Sequence, residues 1–364
     1  MPALLTAATE AEALEQLHAA RQTDGLPVVI PTPERVARMV LASGQEADMM
    51  LGAMGPALGL ATVEKVAVAA VMAGCLPDYM PLVMATTKAI IDPVFDLTEM
   101  QATTHCTAPL IIVNGPARTN CGPVASGFGL MGPGHRANAA IGRALRLAMI
   151  NIGGGRPGES DMALHGHPGK FTFCIAEDEE HSPFPPLHTA LGFDETDSVV
   201  TVVGAEAPHS VIYSGDADDP EDHLHLTDML AVGLANAATN NAILTGGAGI
   251  VVLNPDHAQI YAAAGWSRQD LQAALHERCH LAADKLVEMS PGFAPKKGKS
   301  KQERWSAFSS PEQILVLVAG GGGLYSMVMP TWCAGAHKNA ASSVAVEADF
   351  FCEVPGLAEA ANNN

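Results

Sequence analysis

The side chains able to do chemistry crowd into one stretch of this chain, Asn114–His188. Its pieces are Asn114–Arg118 (NGPAR), Gly132–Leu147 (GPGHRANAAIGRALRL), Asn151–Asp161 (NIGGGRPGESD) and His165–His188 (HGHPGKFTFCIAEDEEHSPFPPLH). Arginines, histidines, a lysine and a run of carboxylates alternate there with glycine and proline. Such residues are costly in an ordinary core, so the block reads as a binding or catalytic site.

Arg136, Arg143 and Arg146 are spaced seven and three apart, which puts them on one broad helical face. Gly132-Pro133-Gly134 frees backbone N–H groups at the start of that helix, and a helix N-terminus with arginine favours a carboxylate or phosphate. Arg118, Arg136 and Arg143, with Asn114 and Asn138 from the same block, are the expected substrate-binding set. The competing reading is a surface stripe paired with the many acids of the chain.

Within His165–His188, Glu177 or Glu180 is expected to move a proton, because a carboxyl raised by burial serves near neutral pH. Lys170 would stabilise developing negative charge, and His188 joins the catalytic candidates. Cys174 and Glu177 are three apart and point to opposite faces if a strand continues, so strict metal-site spacing is not met. A transition metal stays open, with His165, His167 and His188 as further ligand candidates. The same segment reads equally as a strand and an acidic loop fixed by prolines.

Two other places carry lesser signals. Ala319–Ser326 (AGGGGLYS) follows an apolar run and suits a phosphate or carboxylate cradle through Gly321 and Gly322, with a helix expected from about Leu324. It lacks the lysine of a P-loop and the acid of a dinucleotide fingerprint, so no nucleotide cofactor is inferred. The alternative is a tight turn. Asn254-Pro255-Asp256-His257 also follows an apolar run, at a strand end where α/β sites usually lie, and His257 is an acid–base candidate. Of the seven cysteines, Cys75 and Cys174 read as core, while Cys106 and Cys121, beside NGPAR, are the candidates for a reactive thiol.

These residues need elements to hold them. The N-terminal MPALLTAATEAEALEQLHAARQ reads as an amphipathic helix, without the features of a signal peptide. Residues 24–100 read mainly as helices, with Thr32-Pro33 and Thr62 as caps and Gly44 and Gly74 as stops. Short strands are expected at Pro109–Val113, Lys170–Ile175, Val199–Val203, Val211–Tyr213, Gly249–Leu253, Ile314–Val318 and Ser342–Val346. Helices are expected at Arg136–Asn151, at Leu224–Ala238, after Pro255, and from the Ser267–Asp270 capping box to about Met289. Residues 291–304 (PGFAPKKGKSKQER) form a basic loop. The fold class expected is α/β: a helical N-terminal region, a glycine-rich central block and a Rossmann-like layer with a mainly parallel sheet, divided into regions 1–193 and 194–364.

The chain has 364 residues, 48% of them hydrophobic and only 5% aromatic, enough for a core built on aliphatic side chains. Its net charge of −19 argues against a nucleic-acid partner, though local arginines can still bind a small anion. No uninterrupted apolar stretch reaches membrane-spanning length, and no CxxC occurs, so a cytoplasmic chain with reduced thiols is expected.

Several longer motifs, GLPVVIPTPERV, TVEKVAVAAVMAGCLPDYMP, NGPAR, GPGHRANAAIGRALRL, PGKFTFCIAEDEEHSPFPPLH and PDHAQIYAAAGWSRQD, resemble a bacterial family grouped with the UGSC-motif (seleno)proteins. The resemblance runs from about Gly25 to Ser326. This chain lacks the UGSC motif itself. What the resemblance implies is redox or lyase chemistry on small organic molecules, in some relatives beside a UGSC-type partner subunit. The combined expectation is a small-molecule enzyme, a lyase or a reductive cleavage acting on a carboxylated substrate, with a thiol or partner assisting and an oligomeric assembly. The alternatives are a metal-dependent hydrolase or hydratase, and a non-catalytic subunit of a redox enzyme. No cofactor is assigned.

Overall fold

The computed structural model describes residues 5–292 and 304–347. A helical layer comes first: α1 (Glu10–Ala19), α2 (Pro33–Ala42), the hairpin β1 (Met50–Met54) and β2 (Gly59–Thr62), then α3 (Val63–Ala73), α4 (Met80–Ile91) and α5 (Leu97–Ala102). The caps are those the sequence signals. Thr32 and Thr62 accept from the third residue of α2 and α3, and Gly74 closes α3 in the left-handed conformation. The hairpin interrupts what the sequence reads as mainly helix.

The central block supplies β3 (Ala108–Asn114), α6 (Ala117–Asn120), α7 (Arg136–Asn151), β4 (Cys174–Ala176), α8 (Leu187–Ala190) and β5 (Val199–Ala205). The remainder gives β6 (His209–Ile212), α9 (Asp222–Leu234), α10 (Asn240–Leu244), β7 (Gly249–Leu253), α11 (Pro255–Ala263), α12 (Arg268–Arg278), β8 (His280–Ala282), α13 (Ala283–Met289), β9 (Arg304–Ser306), β10 (Ile314–Val318), β11 (Tyr325–Met329) and β12 (Ser342–Ala345).

The fold is mixed α/β, and its sheets are not mainly parallel. One four-stranded sheet runs β4-β3-β5-β12 and the other β10-β7-β11-β6. In each, only the first pair is parallel and the other two are antiparallel. The sheets stack face to face. Leu110, Ile112, Val203, Ile250, Val252, Leu315 and Leu317 fill the space between them. The outer face of the first sheet packs on α3, α4 and α7, and that of the second on α9, α11 and α12, making four layers. Strands covered on both faces need apolar side chains at every position, which is why PLIIV, GIVVL and ILVLV are unbroken runs.

The two sheets repeat one plan. β3, β4 and β5 take the places that β7, β10 and β11 take in the other sheet. Each triplet then sends its next strand across: β6 joins β11, and β12 returns to β5. The division expected at 193/194 falls just before β5, which pairs with β3 along seven residues. The final register of each parallel pair matches as well, Val113 with Ala176 and Leu253 with Val318. Asn114 therefore corresponds to Asn254, and Glu177-Asp178-Glu179-Glu180 to Ala319-Gly320-Gly321-Gly322.

Three local expectations are corrected. Lys170 ends a 3-10 turn rather than starting a strand, and β4 begins only at Cys174. The helix expected to reach Met289 stops at Arg278, where His280–Ala282 pairs with Arg304–Ser306. No helix starts at Leu324; β11 starts at Tyr325 because both β6 and β7 offer it ladder partners. No described helix is long and apolar enough to cross a membrane.

Candidate functional site

The carboxyl ends of β3 and β4 bring together Asn114, Arg118, Glu177 and Glu180, with His188 close by. Asn114 Nδ2 donates to Glu177 Oε2 at 2.5 Å and to Glu179 Oε1 at 2.9 Å. The Gly115 N–H also donates to Glu179 Oε1, at 2.7 Å. Gly115 has φ +75°, and a Cβ there would lie 2.0 Å from the Asp197 carbonyl oxygen, so this turn admits glycine alone.

Arg118 holds Glu180 in a two-toothed grip at 2.8 and 2.9 Å, meets Glu179 at 2.9 Å, and donates to the Glu177 carbonyl at 3.0 Å. The guanidinium is nearly covered, whereas the Glu180 side chain is 60% exposed. Hydrogen bonding from Arg118 holds the Glu180 carboxyl down at about 2.

Glu177 is fully buried. Its carboxylate also accepts from the Leu187 N–H at 2.6 Å and pairs with Arg268 at 3.1 Å. Burial pushes this carboxyl above the usual carboxylate range, against the opposing pull of Arg268. Arg268 sits in the first turn of α12 and lies over the Phe184 ring. The sequence reading placed it inside a capping box and missed it as a site residue; no local signal marks it. Around Glu177, Asn114 Oδ1, His188 Nδ1 and Arg268 Nε are buried and have no hydrogen-bond partner among the described residues. His188 Nε2 faces the Asp194 carbonyl at 3.1 Å.

The other arginines of the expected anion grip stand apart from Arg118, each on its own partner. Arg143 is bound to Asp24 at 2.7 and 2.9 Å and to the Pro27 carbonyl, tying the N-terminal segment to α7. Arg136 donates to the Gly74 carbonyl that ends α3. Arg146 is buried against the Lys170 carbonyl and Asp161. Asn138 bonds the Ala125 N–H and the carbonyls of Ala125, Leu130 and Cys174, which fastens the 125–130 loop to β4. Lys170 is held by Asp161 at 2.7 and 2.8 Å rather than by the Glu177 cluster, and burial lowers its ammonium below the ordinary range.

The metal candidates do not converge. His165 is exposed, and His167 lies between the Gly169 N–H and the Ala205 carbonyl. Among the described residues no three His, Cys, Asp or Glu side chains form a metal-binding group. Burial raises the Cys121 thiol to about 11 and the Cys75 thiol to about 12, which disfavours a thiolate at either. Cys106 is half-buried.

At the matching end of the second sheet, His257 is buried with both nitrogens engaged, Nδ1 by Ser326 Oγ at 2.7 Å and Nε2 by the Tyr213 carbonyl at 3.0 Å. Nε2 must carry a proton to donate to a carbonyl, and burial lowers the pKa of the imidazole, which favours the neutral ring. Gly321 packs against Phe128 and Gly322 against Asp256, where a Cβ would come within 2.1 and 2.9 Å respectively. The glycine loop thus abuts a carboxylate. A cavity of about 600 Å³ opens here between the 214–223 loop, α11 and Gly323. Three of its four lining aspartates come from GDADDPED (Gly215–Asp222), a charge run that the sequence reading passed over, and the fourth is Asp256.

The two strand ends adjoin. The Asp178 N–H donates to the Val318 carbonyl at 2.7 Å and the Gly320 N–H to the Ser126 carbonyl at 2.7 Å. Comparison of the chain with models of protein families, with curated proteins and with solved structures found no match.

Proposed function

We propose that this chain is an enzyme acting on a small carboxylated molecule by proton transfer, a lyase in reaction class, at the carboxyl ends of β3 and β4. The observation that carries the reading is the grip of Arg118 on Glu180. A guanidinium fork matches a carboxylate in two parallel hydrogen bonds. Here the fork is nearly buried while its carboxylate partner is mostly in water. The Glu180 carboxylate stands mostly in solvent, where screening weakens its hold, so a substrate carboxylate is able to take its place.

In this reading Arg118 anchors and Glu177 handles the proton, its carboxyl raised by burial toward the working range. The anchored carboxylate acidifies the neighbouring C–H, Glu177 takes that proton, and a leaving group departs from the next carbon as the double bond forms. No oxidant is required. Asn114 and Arg268 position the Glu177 carboxylate. Because Glu177 is fully buried, displacement of Glu180 must open the Glu179–His181 loop. The reductive variant, assisted by a thiol or a UGSC-type partner, rests on the sequence resemblance alone, as do the family itself and the partner; the cytoplasmic location and oligomeric assembly rest on the sequence reading.

The test is calorimetric titration of the full chain with a panel of small mono- and dicarboxylates. Glu180→Ala is expected to tighten binding at least tenfold and Arg118→Ala to remove it. Transfer of deuterium from solvent to the bound acid should then be lost in Glu177→Gln. Equal binding by wild type and Arg118→Ala sinks the proposal.

One observation favours the reading as a non-catalytic subunit. Leu41, Met50, Leu58 and Leu60 are all exposed, three of them on the β1–β2 hairpin. Loss of a co-purifying chain in Leu58→Asp would support it.

A further inference from the structure

The cavity beside His257 belongs to neither reading, and its chemistry is the reverse of a carboxylate site. Asp216, Asp219, Asp222 and Asp256 line it, with no lysine or arginine among its lining residues. Ile260 and Leu324 contribute apolar surface. The volume of about 600 Å³ is that of a small-molecule site.

The disposition of two carboxylates turns this from an acidic patch into a built site. Asp222 is more than nine-tenths buried. Its Oδ1 accepts from the Tyr213 hydroxyl at 2.5 Å and from the Asp216 N–H at 3.0 Å, which fixes the carboxylate. Its Oδ2 has no hydrogen-bond or ion-pair partner among the described residues, and the side chain is part of the cavity wall. The residue is therefore mostly buried and held in place, with one carboxylate oxygen left for a donor that a ligand can supply. Asp256 is exposed at the rim, makes no ion pair with a described residue, and is accommodated by Gly322. Of the histidines nearby, His225 is on Asp219 at 3.3 Å, His257 lies between Ser326 and Tyr213, and His223, which also lines the cavity, lies edge-on to the Trp266 ring.

The matching position in the first sheet explains why the opening exists here. There the residues after β4 are carboxylates, three of which Arg118 and Arg268 pair from within the chain while Asp178 meets His181. In the second sheet the same positions are Ala319 and three glycines, no arginine is among the lining residues, and the aspartates face an open cavity.

We propose that this cavity binds a small organic cation, an ammonium or guanidinium group on an apolar body, with the cationic head on Asp222 Oδ2 and Asp256 and the body against Ile260 and Leu324. A bare metal ion fits less well, since no group of three ligating side chains forms there.

The experiment is calorimetric titration of the full chain with agmatine and with phenethylammonium, using butyramide as a neutral control. One-site binding is expected for at least one cation, at least tenfold tighter than for butyramide. Asp256→Asn should weaken it at least fivefold, and Ala264→Trp, which fills the cavity, should abolish it with the melting temperature unchanged. Asp222→Asn should weaken it further, but it also disturbs Tyr213, so Asp256→Asn decides. The proposal fails if neither cation outbinds butyramide, if Asp256→Asn binds like wild type, or if stoichiometric calcium displaces the probe.

Discussion

Glu177 at the end of β4 and Arg268 in the first turn of α12 form an ion pair at 3.1 Å, with both side chains shut away from water. The pair joins the helix layer of the second sheet to the strand ends of the first. Removing one member leaves the other charge buried alone, which costs about 3–5 kcal/mol, whereas replacing both with neutral groups of similar size costs much less. Arg268→Met is therefore expected to lower unfolding stability by that amount. The double variant Glu177→Gln/Arg268→Met should recover a good part of it. Denaturant unfolding in a double-mutant cycle measures the difference. Simple additivity of the two single variants would show that the pair does not act as a unit.

How much of this was legible in the sequence depends on how local each feature is. α7, β10 and the Ser267–Asp270 capping box are where the residue pattern puts them, because periodicity and caps are set by near neighbours. The convergence of Asn114, Arg118, Glu177 and Glu180 was half legible, since all four lie in the flagged block. The Glu177–Arg268 pair was not. Its members are far apart in sequence, and only the stacking of the two sheets brings α12 to β4. The anion grip failed for a related reason. Spacing places Arg136, Arg143 and Arg146 on one helix, but their carboxylate and carbonyl partners come from Asp24, Gly74 and Asp161, which periodicity does not reveal. The mainly parallel sheet was misjudged because runs such as VVTVV are equally apolar in any strand covered on both faces.

Asp161 is the hinge of a second buried cluster. It neutralises both Lys170, at 2.7 Å, and Arg146, at 3.5 Å. Asp161→Asn leaves two cations facing each other out of water, so it should cost about 3–5 kcal/mol. Lys170→Met leaves Arg146 with its carboxylate and should cost clearly less. Thermal unfolding of the two variants at neutral pH gives the order. The reverse order would mean that Lys170 supports the fold by some route other than Asp161.

The thiols should separate sharply in a timed reaction with a disulfide reagent. Burial holds Cys75, Cys121, Cys174 and Cys279 protonated, with Cys75 and Cys279 raised to about 12. Cys106 is half-buried, unlike these four. In the native protein Cys106→Ser is expected to remove one fast-reacting thiol, while the corresponding serine variants of the four buried residues leave the fast count unchanged. Cys352 lies outside the described residues. A fast count unchanged in Cys106→Ser would remove this residue from any thiol-assisted chemistry.

Two buried groups should shape the pH dependence of stability in opposite directions. Burial holds the folded pKa of His257 below the ordinary 6.5. As pH falls below about 6.5 the unfolded chain takes up a proton that the native state refuses. Stability present at neutral pH is then lost toward the folded value, with a slope of at most about 1.4 kcal/mol per pH unit. Glu177 behaves oppositely. Its folded pKa lies above the ordinary 4.5, so between the two values the native state holds a proton that the unfolded chain has released, and stability falls as pH rises through that window. His257→Gln preserves a donor for the Tyr213 carbonyl and an acceptor for Ser326. It should flatten the limb below pH 6.5 and leave the Glu177 window in place. Glu177→Gln should do the converse. Denaturant midpoints collected from pH 4 to pH 8 on the three proteins resolve the two limbs, and a His257→Gln curve that still falls below pH 6.5 would place that proton on another residue.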